Sequence, residues 1–228
     1  AGQLDDAKDA YRKALDLNPM RADIHREFSG LLLETGGREC AFELLDKAID
    51  ATNSADLVSV RAEISLLSGD ARAAARFCVR ALETNSNHPK ANEVLARASR
   101  ALGDYGRALP TARKALDHAP GDFDILHTCC EIEMACGDFA VAVERLKAEA
   151  PPKHLQKHVA LKALALRASG DPSYRNLYDY DRFTAQVAID PPPGYETIEG
   201  FNAALARSIE RLHRSTDRPV DQTLYGGT

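Results

Sequence analysis

The sequence predicts an all-α chain built as a solenoid of stacked helix pairs, on three observations. Glycine recurs at Gly2, Gly36, Gly69, Gly103, Gly137 and Gly170, in steps of 34, 33, 34, 34 and 33 residues. A fixed period of this size marks units that each bury an apolar face on the next. Small residues keep the same register: Ala7, Ala41, Ala74, Ala108 and Ala142 stand five after the first five glycines, and Ser29, Ala62, Ala96, Cys130 and Ala163 stand seven before the later ones. Small side chains let two helices approach closely, and glycine relieves the turn between them. Finally, the segments between glycines carry apolar residues at helical spacing, as in Leu4, Ala7, Tyr11, Ala14 and Leu15.

Taken in order, residues 4 to 17 read as the second helix of a pair whose first helix is absent from the sequence. Complete pairs follow at about 22–35 with 38–52, 55–68 with 71–84, 89–102 with 105–118, and 122–136 with 138–149. Helices this short are marginal in isolation, so stability must come from stacking. Pro151 and Pro152 cut the fifth pair short, and residues 154 to 169 make one more helix. Arg175 then replaces the recurring alanine, which ends the repeats and divides the chain into 1–170 and 171–228. In the second part, Thr184 to Ile189 has the β-branched and apolar content of a strand, and Pro191 to Gly194 forms a turn or linker. Residues 196 to 214 return to helical period, with Ile198, Phe201, Leu205, Ile209 and Leu212 on one face.

This register resembles the tetratricopeptide repeat family over residues 1 to 170, with Pro19 and Pro120 at the family's closing-proline position and Asn53 and Ser86 in its place elsewhere. The resemblance implies a right-handed superhelix of about five repeats, the first partial. It also implies a concave face lined by the first helix of each pair, where such proteins hold a peptide or protein segment. By register, the inward candidates are Arg26 and Leu33; Ser59, Glu63 and Leu66; Lys90, Glu93, Arg97 and Arg100; and His127, Glu131 and Met134. The Lys and Asn pattern with which some family members clamp chaperone C-termini is missing, because Gly30, Glu63, Arg97 and Glu131 occupy the matching positions.

The region from Tyr174 to Thr228, ending in DQTLYGGT, resembles the opening of a 2-oxoglutarate/Fe(II) oxygenase domain that follows such repeats in some bacterial proteins. In that family the iron-binding His-x-Asp pair, the distal His and the Arg that grips 2-oxoglutarate all come after the GGT segment. The resemblance therefore implies no cofactor and no catalytic residue within this chain, and Fe(II) and 2-oxoglutarate only for a longer parent protein. In a third reading Tyr174, Tyr178, Tyr180 and Phe183 cap the solenoid by packing on the helix at 154–169.

Composition narrows the remaining classes. A net charge of -5 and the lack of a basic tract argue against nucleic-acid binding, and no apolar run approaches the roughly 20 residues of a membrane span. Cys40, Cys78, Cys129, Cys130 and Cys136 are odd in number and irregularly spaced, which reads as buried thiols in a reducing, cytoplasmic setting rather than disulfides. A metal site is not expected: His25-Arg26-Glu27 lies mid-helix, and His154 with His158 reads as an exposed polar turn after two prolines. No nucleophile elbow, phosphate loop or dinucleotide fingerprint occurs. The chain starts at Ala1 within a repeat, so the natural N-terminus is expected upstream. The leading expectation is a protein-binding scaffold, and the rival is the recruitment arm of an oxygenase.

Overall fold

The computed structural model describes residues 2–212. The GGT-containing tail that carries much of the oxygenase resemblance lies outside them. The chain divides into two compact units, Ala1–Leu177 and Tyr178–Thr228.

In the first unit, α1 (Gly2–Leu17) precedes four helix pairs: α2 (Ala22–Glu34) with α3 (Arg38–Thr52), α4 (Ala55–Leu67) with α5 (Ala71–Thr84), α6 (Pro89–Ala101) with α7 (Tyr105–His118), and α8 (Phe123–Ala135) with α9 (Phe139–Arg145). Last comes α10 (Leu155–Ala168), reached through a 3-10 turn at Pro152–His154. The turn within each pair explains the glycine period. Gly103 adopts φ 79°, a left-handed conformation open to glycine at little cost. That bend lets Asp104 N–H reach back to the Ser99 carbonyl at 2.9 Å, closing the helix end. The Asp104 carboxylate then caps α7 by accepting from Arg107 N–H at 3.0 Å. Asp70 does the same between α4 and α5, with backbone and side-chain bonds of 2.9 and 2.8 Å.

The small-residue registers meet at the crossings. Ala41, Ala74, Ala108 and Ala142 are fully buried, as are Ser29, Ala62, Ala96, Cys130 and Ala163. Each first helix also packs on the first helix of the next pair, α2 on α4, α4 on α6, α6 on α8 and α8 on α10, while successive second helices make no comparable contact. The stack therefore curves with the first helices inside. α4 and α6 are buried on most sides, and in α4 the apolar residues are accordingly spread around the helix, with Ser59, Arg61, Glu63 and Ser65 buried among them.

One helix ends earlier than expected, and another keeps its expected bounds despite an internal proline. α9 stops at Arg145 rather than near 149, ahead of Pro151. Pro110 sits inside α7, and its missing N–H and bulky ring face Gly106 four residues back, where no side chain adds to the crowding.

The second unit holds α11 (Tyr180–Phe183) and α12 (Ile198–Leu212), with the Tyr195 and Phe201 rings in edge contact at 5.2 Å. Thr184 to Ile189, expected as a strand, has no regular structure. A strand needs a partner ladder, the described residues contain no strand, and Val187 and Ile189 are exposed. The aromatic cap is also corrected in part. A 3-10 turn at Pro172–Asn176 packs on α10 with Tyr174 half-buried, but Phe183 is exposed, with the Arg182 guanidinium 5.4 Å from its ring centre, and the Tyr180 side chain lies outside the described ones.

Candidate functional site: the inner face of the stack

The inner helices bring most of the sequence-derived candidates into one chain of charge. Arg26 on α2 donates from Nε to Glu63 Oε2 on α4 at 3.1 Å. Lys90 on α6 bridges Glu63 Oε1 at 3.1 Å and Glu93 Oε2 at 3.0 Å. Arg97 lies between the same carboxylates, 3.4 Å from Glu93 and 3.8 Å from Glu63. Thr128 on α8 donates to Glu93 Oε1 at 3.0 Å. One turn further along α6, Arg100 pairs with Glu131 at 3.2 Å, and Lys157 on α10 holds the other oxygen of Glu131 at 2.9 Å.

Burial divides these groups into a floor and a surface. The Glu63 and Glu93 side chains are 4% and 3% exposed, whereas Arg26, Lys90, Arg97 and Arg100 retain 28–38%. Burial alone would raise the Glu63 pKa, but Lys90, Arg26 and Arg97 together outweigh it and hold the carboxyl below its ordinary range. Lys90 is likewise held above its usual value: burial opposes its charge, and Glu93 and Glu63 more than compensate. The carboxylates thus neutralise the floor and tie neighbouring repeats together. Of these charged groups, the cationic heads and Glu131 keep partial exposure.

The register misplaces two candidates. Ser59 is buried, its hydroxyl donating to the Asp56 carbonyl at 2.8 Å. His127, expected to face the groove, is fully buried between α8 and α10, where its Nε2 meets His158 Nδ1 at 3.2 Å. His158 itself, expected in an exposed polar turn, is buried, because the two prolines form a compact 3-10 turn and α10 begins early enough to point residue 158 at α8. His25 is buried with Nε2 2.9 Å from the Pro19 carbonyl. Among the described residues no three His, Cys, Asp or Glu side chains are placed to share a metal ion.

A second charge cluster escaped sequence reading. Glu133 on α8, with no exposure, accepts from Arg113 on α7 at 2.9 Å and from Arg145 on α9 at 3.0 Å, and Arg113 also pairs with Asp138 at 2.8 Å. A signal was present: four before its glycine, where Leu32, Ser65 and Ser99 stand in other repeats, Glu133 places a charge at an inward position that demands partners. The expectation of five buried thiols is corrected for Cys40 and Cys136, which are exposed near the turns within their pairs. Cys78, Cys129 and Cys130 are buried, and burial pushes each thiol up to about 12.

A tetratricopeptide repeat family model matches residues 1–19. The pilF structure from Pseudomonas aeruginosa superposes with a TM-score of 0.59 at 16% identity, covering 89% of this chain and 90% of that one. This chain has the tetratricopeptide repeat fold. TTC0263, described as a thermophilic TPR protein from Thermus thermophilus, matches at TM-score 0.58 and 20% identity over 73% of this chain and 92% of that one. YrrB, described as a TPR protein with an unusual peptide-binding site, matches at TM-score 0.52 and 17% identity over 74% and 92%. No curated protein sequence matches. None of these likenesses supports the oxygenase resemblance of residues 174–228. No helix among the described residues is long and apolar enough to cross a membrane.

Proposed function

We propose that this tetratricopeptide repeat chain is a protein-interaction scaffold that holds a peptide or protein segment along the inner face of α2, α4, α6 and α8. The observation that carries this reading is the row of part-exposed heads: Arg26, Lys90 and Arg97 held over the buried Glu63 and Glu93, and Arg100 paired with the part-exposed Glu131. Charged groups held in place lose little side-chain freedom on binding, which favours affinity over a mobile surface. The peptide-binding site described for YrrB, on the same fold, agrees with this reading. Five unpaired cysteines suit a reducing, cytoplasmic setting.

The test is selection of peptides from a random display library on the full chain, followed by affinity measurement on two variants. Arg100→Glu changes the inner face, and Arg76→Glu changes the exposed outer surface of α5 beside Val79. Groove binding predicts that Arg100→Glu weakens a selected peptide by about tenfold or more, the loss of one good charged contact. Equal affinity for wild type and Arg100→Glu, or loss confined to Arg76→Glu, would move the site elsewhere.

A further inference from the structure

The buried histidines at the end of the stack have no part in the groove and form a directional relay. His158 Nε2 lies 3.1 Å from the Leu146 carbonyl, an acceptor, so that nitrogen carries the proton and donates. In the neutral ring its Nδ1 is then an acceptor, and His127 Nε2, 3.2 Å away, is the donor to it. That leaves His127 Nδ1 as a bare nitrogen, buried and without a partner. The relay joins three elements: α8 through His127, α10 through His158, and the end of α9 through the Leu146 carbonyl. Phe123 closes the cluster, its ring 6.1 Å from His127, 5.9 Å from His158 and stacked on His154 at 5.6 Å.

Both places where this relay could accept a proton are unfavourable. A proton on His158 Nδ1 would set two N–H groups facing each other across the 3.2 Å gap. A proton on His127 Nδ1 would create a buried donor, and a buried charge, with no acceptor. Of the surrounding charges only Asp124, on α8 and exposed, favours a proton on His127, and burial with the neighbouring cations outweighs it. On α10, Lys157 is a like charge, engaged with Glu131; His154 lies 5.9 Å from His127 between ring centres and points Nδ1 toward the exposed Asp124 at 3.5 Å. From α6, Glu93 is taken by Lys90, Arg97 and Thr128, and Arg100 by Glu131. From α7 and α9, Arg113 and Arg145 are directed at Glu133, and Glu144 at Lys147.

We propose that the His127–His158 pair is a pH-sensitive latch: neutral, it fastens α10 against α8 and α9, and on acidification it releases α10 from the end of the stack. Release also separates Lys157 from Glu131, so the latch controls the last part of the inner face. In support, burial, reinforced by Lys157, His158 and His154, holds His127 down to about 4, well below the ordinary imidazole value. The sign is that of a depressed base. The open form binds a proton near its ordinary value of 6.5 and the latched form only near 4, so acid favours opening across that window.

The test is residue-resolved hydrogen exchange on the full chain at about pH 7 and about pH 5, corrected for intrinsic exchange. Linkage between 4 and 6.5 multiplies the opening constant of α10 by about 20 over that interval. Protection over Leu155–Ala168 should fall by that factor while protection over α4 and α5 holds, and His127→Gln/His158→Gln should remove the pH dependence. Unchanged protection of α10, an equal fall in every helix, or the same fall in the double variant would overturn the latch. Imidazole titration of the wild type by NMR decides independently of how the variant folds. A His127 that titrates near 6.5 with α10 still protected rules the latch out, and one that remains neutral until α10 opens supports it.

Discussion

Replacing Glu63 with Gln probes the floor of the inner face directly. The substitution keeps the shape and removes one buried negative charge from beneath Arg26, Lys90 and Arg97, whose nearest nitrogens lie 3.1, 3.1 and 3.8 Å from it. Breaking one partner out of a buried ion pair costs about 3–5 kcal/mol, because the remaining charge is left uncompensated. Here the three cations keep roughly a third of their surface in water and can rehydrate, so the lower end applies, about 3 kcal/mol. Equilibrium urea unfolding at neutral pH, followed by circular dichroism, measures it as a lower midpoint with little change in slope. The loss should shrink when Lys90→Met is combined with it, because both changes dismantle one network. Acid gives a second view. Glu63 has a depressed pKa in the fold, so its contribution is complete above the ordinary carboxyl value of 4.5 and disappears as pH falls through the lower native value; Glu63→Gln should lack that acid-sensitive part. A cost under about 1 kcal/mol, or strict additivity with Lys90→Met, would refute the view that the floor binds the repeats together.

Other predictions follow from the same packing. Ala108→Leu, at a fully buried crossing of α6 and α7, should destabilise by about 1–3 kcal/mol through overpacking, read in the same urea assay. Gly103→Val should cost at least about 1–2 kcal/mol, because φ 79° is strained for a β-branched residue although open space surrounds the site. Under native conditions iodoacetamide should label the exposed Cys40 and Cys136 and spare Cys78, Cys129 and Cys130, whose thiols sit near 12; mass spectrometry after mild denaturation should show all five modified.

The repeat itself was legible because its cause is local. A left-handed turn calls for glycine, and a close crossing calls for Ala41, Ala74, Ala108 and Ala142, so the period appears in the sequence without reference to anything distant. The inner charges were partly legible for the same reason: register placed Arg26, Glu63, Lys90, Glu93 and Arg97 on successive first helices. Register alone does not say how deep a position lies, and that is why Glu63 and Glu93 became the floor and His127 vanished into the core. His158 was misread because its environment depends on how Pro151 and Pro152 turn the chain, a tertiary matter. The segment 184–189 shows the converse limit. β-Branched composition expresses fitness for a half-buried pleated surface, and among the described residues no neighbouring strand supplies one.

The central claim is that the inner face, rather than the outer helices, receives a partner. A spin label on a library-selected peptide, with NMR line broadening read across the full chain, tests it most directly. The account predicts broadening centred on Ser59, Arg97 and Glu131 of α4, α6 and α8, with Arg76 and Val79 of α5 unaffected. Broadening centred on α5 and α7 would contradict it.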